Sequence, residues 1–232
     1  MSTKTLQLLH WPSILSAKNV TLIRDATDAA DALPLLHHLV RVLSLSKHLS
    51  PPEILFLTTN SRAQIPPTSK TCLFPFLTRS TQIAFAHSTP CDPYTFFEHP
   101  HEKQSSAQST KQFLRFVSAA AKTSSAKVIV VECVHALQTV FAVDILPFIK
   151  TLTTMQKGLS VMLSAPVHCG IDRQIATLAD MADTIIDLNN LQTGYAPDVD
   201  GTLKLVKQQG KWQLNSSTNR YKITEPSFKI YI

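Results

Sequence analysis

Lys127–Cys133 reads KVIVVEC, and its centre, Val128–Val131, is an unbroken run of β-branched residues. A strand with one wet face alternates apolar and polar residues. A strand apolar at every position must be covered on both faces, and that situation belongs to parallel sheets packed between helices. Parallel neighbours need long crossovers, so the flanking sequence must alternate strand and helix.

The chain does alternate. NVTLIRD (19–25), EILFLTTN (53–60), TQIAFAHS (81–88) and LSVMLSAPV (159–167) read as further strands. Leu36, Leu39, Val40 and Leu43 form a helical stripe, with Asp31 as a candidate N-cap and Pro34 suited to a first turn. Phe113, Phe116, Val117 and Ala120 form a second stripe. Val134–Gln156 is expected to be helical with a kink at Pro147. Ile171, Ile175, Leu178 and Ala182 mark a last amphipathic helix. SRAQIPPTSKTCLFPFLTRS and PCDPYTFFEHPHEKQSSAQS read as long loops. From Asp183 the helical period disappears, and DTIIDLNNL, GTLKLVKQQGKWQL and NRYKITEPSFKIYI read as strands separated by turns. The expected architecture is one α/β domain. Residues 1–18 form an extension, 19–182 a mostly parallel core flanked by helices, and 183–232 an antiparallel meander on one sheet edge.

Ile23–Leu36, IRDATDAADALPLL, is the strand–turn–helix segment where nucleotide-binding α/β proteins keep their phosphate loop. Such a loop needs glycine, so that backbone N–H groups can converge on phosphate, and a lysine. This segment offers Asp25, Asp28 and Asp31, with neither glycine nor lysine. The five glycines are Gly158, Gly170, Gly194, Gly201 and Gly210, so the first 157 residues contain none. KVIVVEC nonetheless has the form of a strand whose terminal acid, Glu132, would hold magnesium in an ATPase. Without a phosphate loop, Glu132 reads as a carboxylate that the strand end merely permits, and no bound cofactor is expected.

The chain has 232 residues, 44% of them hydrophobic, which is enough for a sizeable core. No apolar run approaches the ~18 residues of a membrane span. MSTKTLQLLHWPSIL reads as mature sequence. Cys72, Cys91, Cys133 and Cys169 form no CxxC pair, which argues against zinc and against a disulfide framework, and Cys133 reads as a buried strand thiol. A reduced cytosolic or nuclear setting is expected, so two N-x-S/T matches, at Asn19 and Asn215, are coincidental. Only 16% of residues are charged, against about 25% in an average domain, which suggests surface hidden in an assembly. Phe74, Phe76, Phe96 and Phe97 are candidate interface anchors.

His99-Pro100-His101 lacks companion ligands and reads as solvated loop. His37-His38 points two ways around a helix, so at most one ring is expected on the core. Basic residues gather at Arg62, Lys70 and Arg79, and again at Lys204, Lys207, Lys211, Arg220, Lys222 and Lys229. Both a phosphate-binding and a solvated role suit them.

IIDLNNLQTGYAPDVDGTLKLV (185–206) resembles the sixth subunit of the Elongator complex. In that family a leucine-rich strand enters a turn of the pattern TG, aromatic, two residues, DV, one residue, G, one residue, L. Here the turn is Thr193, Gly194, Tyr195, Asp198, Val199, Gly201 and Leu203. Gly194 and Gly201 are expected to supply backbone angles closed to other residues. NRYKITEPSFKIYI is similar to the family's closing strand pair, and LRFVSAAAKTSSAKVIVVECVHALQTV to its helix and central strand. The resemblance covers about the second half of the chain; before Lys111 only the strand–helix order agrees.

The resemblance implies a RecA-like fold that has lost its phosphate loop. It implies a ring of six with the fourth and fifth Elongator subunits, two copies of each, joined to the catalytic subcomplex that modifies wobble uridine in tRNA. It implies no catalytic residues in this chain and ATP only at shared ring interfaces. The loop after the strand ending near Val167 would face tRNA, with His168, Gly170 and Arg173 as the contacting residues. A recombination mediator acting on DNA and a degenerate ATP-dependent enzyme are the alternative classes.

Overall fold

The computed structural model describes residues 19–25, 32–45, 54–58, 71–75, 106–123, 126–155, 159–166, 173–191, 196–209, 212–224 and 227–231. Six parallel strands come first: β1 (Val20–Asp25), β2 (Ile54–Thr58), β3 (Thr71–Pro75), β4 (Val128–Val131), β5 (Ser160–Pro166) and β6 (Thr184–Asn190). Antiparallel β7 (Gly201–Gln209), β8 (Trp212–Thr224) and β9 (Ser227–Tyr231) follow. All nine belong to one sheet in the order β3-β2-β4-β5-β1-β6-β7-β8-β9. The fold class is α/β, a mostly parallel sheet with an antiparallel C-terminal meander.

Val128–Val131 is buried along its whole length. Ile129 and Val131 enter one apolar cluster, Val128 and Val130 the other. On the first side lie α2 (Ser106–Thr123), α3 (Val134–Phe141), α4 (Ile145–Met155) and α5 (Arg173–Met181), which contribute Phe113, Leu137, Phe148 and Leu178 among others. On the second side α1 (Leu33–Leu45) places Leu35, Leu36, Leu39 and Val40 against Ile23, Phe56 and Met162. The meander supplies Leu203, Leu205 and Tyr221 to that same side. No helix among the described residues is long and apolar enough to cross a membrane.

Several expectations change. The third strand is β3, inside the proline-rich stretch read as loop, while residues 81–88 lie outside the described residues. β3 is an edge strand, and Pro75 closes it where a missing N–H costs little. Val134–Gln156 is two helices, not one kinked helix. The break is at Ala142, whose φ of 51° is left-handed. The Leu137 carbonyl accepts from the N–H groups of both Ala142 and Val143 and closes α3. Thr110 Oγ1 then accepts from the Asp144 N–H at 2.8 Å, tying the break to α2. Pro147 falls in the first turn of α4, where proline is tolerated. Cys133 is half-buried and precedes α3 as its N-cap instead of lying in β4. Within the meander GTLKLVKQQGKWQL is divided between β7 and β8, and β8 continues across the expected break at residues 215–218.

β6 runs parallel to β1, so the antiparallel strands begin at Gly201 and not at Asp183 as expected; Asp183, just before β6, ties it to β1, its Oδ2 accepting from the Val20 N–H at 2.8 Å. The turn from β6 to β7 is fixed by Asp200. Its N–H donates to the Tyr221 carbonyl. Its carboxylate accepts from Lys222 Nζ at 2.8 Å and from the Ile223 N–H. Lys222 Nζ also donates to the Pro197 carbonyl at 2.8 Å. Gly201 is needed for space and not for an unusual backbone angle, a correction to the expected role. A Cβ there would strike the Asn189 carbonyl oxygen and the Tyr221 ring.

Gly201→Ala should therefore destabilise the chain by ~2 kcal/mol, as overpacked sites do, lowering the melting temperature by roughly 4–8 °C. Differential scanning calorimetry measures this, and an unchanged midpoint would contradict the close approach. Burial alone would raise the Asp200 carboxyl, but the Lys222 hydrogen bond, the Ile223 N–H and the Lys222 charge outweigh it and hold it below the usual value. A lowered folded value means the stabilisation is complete above the ordinary carboxylate range and is lost as pH falls through the folded value. Urea melts of wild type and Asp200→Asn should differ most near neutral pH and converge in acid. A gap that widens in acid would reverse the assignment.

Candidate functional site

In a parallel sheet, ligands bind in the crevice beyond the carboxyl ends of the strands. Here β1 ends at Asp25, level with Pro166 of β5 and Leu188 of β6. β4 ends at Val131, and the next N–H, that of Glu132, donates to the Leu57 carbonyl at 3.0 Å. Strand alternation puts Asp25 on the face of Ile23 and Glu132 on the face of Val130, and that is the face covered by α1. Both carboxylates are buried, with exposures of 8% and 5%.

His37 from α1 meets Glu132. Its Nε2 lies 3.5 Å from Glu132 Oε1, an ion pair whenever the ring is protonated. The ring stands edge-on to Phe56 with centroids 5.8 Å apart. His37 therefore lies against the acid that the sequence suggested could hold magnesium. The expectation for His37-His38 changes, since both residues are half-buried and both bury Nε2. Leu36 and Leu39 draw this segment of α1 against the sheet on either side of the two rings.

The cation that β1 does possess points the other way. Arg24 forms a two-pronged pair with Asp187 of β6, Nε to Oδ1 at 2.7 Å and an η-nitrogen to Oδ2 at 2.9 Å. It crosslinks adjacent parallel strands on the face opposite α1. A phosphate entering on the α1 side would face Asp25 and Glu132 with Arg24 already engaged. A like charge 4 Å away costs about 4 kcal/mol at an effective dielectric of 20.

Asp28 and Asp31 lie outside the described residues, as do His168, Gly170, Asp172, Phe76, Phe96, Phe97 and the His99–His101 pair. Arg173 is the exposed first residue of α5, its carbonyl accepting from Thr177 Oγ1 at 2.8 Å. It follows β5 at the carboxyl edge, but on the helical layer opposite α1. In the turn, Thr193, Gly194 and Tyr195 lie outside the described residues, Asp198 is exposed, and Gly201 is buried. Sequence reading missed the pairing of His37 with Glu132, which are 95 positions apart in the chain. It also missed Asp200, although that aspartate stands inside the turn pattern.

No family model matches this chain, and neither does any curated protein. Among solved structures, a KaiC-like protein from the hyperthermophilic archaeon Pyrococcus horikoshii is similar, with a TM-score of 0.51 at 13% sequence identity. The likeness covers 93% of this chain and 90% of that one. The chain therefore has a RecA-like fold.

Proposed function

We propose that this chain is a structural subunit of the Elongator accessory ring. It binds the fourth and fifth subunits and tRNA, and so supports wobble-uridine modification by the catalytic subcomplex. The observation that carries this reading is the β6–β7 turn. Two parts of the resemblance stand twenty residues apart, the turn glycine Gly201 and the tyrosine of NRYKIT, Tyr221. In the fold Gly201 packs directly against the Tyr221 ring, and Asp200, just before it, bonds to the backbone on both sides of Lys222. The described part of the pattern, from Asp200 to Leu203, thus forms one compact unit with Tyr221.

A non-catalytic role is supported by the glycine-free, lysine-free segment after β1 and by the histidine against Glu132. ATP, in this reading, is bound only where a neighbouring subunit completes a site. Cytoplasm and nucleus are the corresponding compartments. The Arg173 end of α5 is the candidate tRNA contact on the ring's inner side, near a helix N-terminus that favours phosphate.

Mixing the purified chain with the two sister subunits should give a hexamer with two copies of each, read by native mass spectrometry. A monodisperse monomer that binds neither sister subunit would exclude the ring reading. Calorimetry of the isolated chain with Mg-ATP should show no dissociation constant tighter than about millimolar. His37→Ala should not restore binding, because the missing phosphate cradle is elsewhere. Low-micromolar affinity in the wild-type chain would remove the non-catalytic assignment.

A further inference from the structure

Helix α2 buries Phe113, Val117, Ala120 and Ala121. Its opposite side exposes Lys111, Arg115 and Lys122. At about 100° per residue these three fall within about 40° of one another around the axis, in a row roughly 16 Å long. Gln108 and Ser118 lie beside the same row. The adjacent helix α4, joined to α2 through the Phe113–Phe148 ring contact at 5.4 Å, exposes Lys150 and Thr154. Lys127, between α2 and β4, is also exposed. Neither α2 nor α4 contains an acidic residue. Among the described residues, the acids on the elements packed around them are the half-buried Asp144 before α4 and the exposed Asp180 of α5.

A face serving only solubility gains from mixed charge, since opposite charges at i,i+4 stabilise a helix by ~0.2–0.5 kcal/mol and like charges cost as much. Lys111 and Arg115 are a like pair at that spacing. Lys111 also stands in the second turn, toward the end of the helix where the dipole disfavours a cation. Lys111 and Arg115 therefore work against their own helix unless an external anion meets them, whereas Lys122 stands in the last turn, where the dipole favours a cation. A membrane surface would call for large apolar side chains beside the cations. The exposed large hydrophobics among the described residues are Met181 and Tyr231, and neither is on α2 or α4. A rigid row of cations suits the regular phosphates of a nucleic-acid strand.

We infer that the outer face of α2, extended by Lys127 and Lys150, is a docking surface for the phosphate backbone of RNA. The choice of RNA over DNA rests on the proposed ring-subunit reading; the position of the surface does not. It lies on α2 and α4 and not on α5, which carries Arg173. The contacts are to phosphate, so binding through this face is insensitive to sequence.

The test is fluorescence anisotropy of the full chain with labelled unmodified tRNA over a salt series. The main variant is Lys111→Gln/Arg115→Gln/Lys122→Gln, whose new residues are good helix formers at exposed positions. Its affinity at low salt should fall roughly tenfold or more, and the slope of log affinity against log salt should become shallower by about two to three. If the triple variant does not fold by circular dichroism, Lys111→Gln and Lys122→Gln singly should each lower the slope by about one. Lys204→Gln/Arg220→Gln, which removes two exposed charges from the meander, should cost less than the triple change. The surface is overturned by a wild-type chain that does not bind tRNA, by unchanged affinity and slope in the α2 variants, or by an equal loss in the meander variant. A DNA duplex bound as tightly as tRNA would overturn the assignment to RNA. Ring assembly is measured separately, so a chain that binds RNA through α2 yet ignores the sister subunits keeps the surface and loses the ring.

Discussion

The structure depends on burying β4, β5 and β1 on both faces. Val128–Val131, Val161–Ala165 and Leu22–Ile23 are withdrawn from water almost completely. At about 25 cal/mol for each Å² of apolar surface, no other contribution is comparable. Two-sided burial demands two covering layers. The first is supplied by α2, α3, α4 and α5, and the second by α1 with the meander. Tyr221, one of the largest fully buried side chains, belongs to the meander's share, so the C-terminal strands are part of the core and not an appendage.

That arrangement sets the polar chemistry. Parallel strands all end at one edge, so their terminal residues converge there whether or not a ligand is bound. Asp25 and Glu132 are drawn below the surface because the residues before them are core. A buried carboxylate without company costs several kcal/mol. For Glu132 the fold provides the imidazole of His37, held by the same leucine stripe that fixes α1. Arg24 and Asp187 resolve the corresponding problem on the opposite face with a bidentate pair between neighbouring strands. Two acid–base contacts thus stand at this edge, one on each face of the sheet.

What could be read from sequence followed the local periods. The run Val128–Val131 determined a covered parallel strand, and the spacing of Ile175 and Leu178 determined the buried side of α5. Prolines misled in both directions. Those flanking Thr71–Pro75 concealed a five-residue edge strand, and Pro147 drew attention from the real helix break at Ala142. An alanine in the left-handed region leaves no compositional trace, since the conformation is imposed by hydrogen bonds to Leu137 and Thr110. Gly201 was legible as important but not for the right reason. A glycine required by a neighbouring ring looks the same in sequence as one required by a turn. The His37–Glu132 contact joins a helix to a strand end across most of the core, and nothing local announces it.

Charge was the least legible property, for a geometric reason. In linear sequence Lys111, Arg115 and Lys122 are dispersed among alanines, serines and aromatics, and the C-terminal lysines look denser. On the strands the register puts Lys204, Arg220 and Lys222 on one face of the sheet, where Lys222 is already engaged by Asp200. A helix gathers charge by a different spacing. Positions 4 and 7 apart return to the same side, so sparse charges gather into one row. The helix also fixes their spacing without needing a bound partner, so less ordering entropy is lost when an anion arrives. The two candidate features are therefore of different kinds. The carboxyl edge sets acids against basic groups of the same chain, whereas the α2 row has no acid within its own helix. A RecA-like fold can lose the first as a binding site without disturbing the second, because the second depends only on the apolar side of α2 staying docked through Phe113 and Val117.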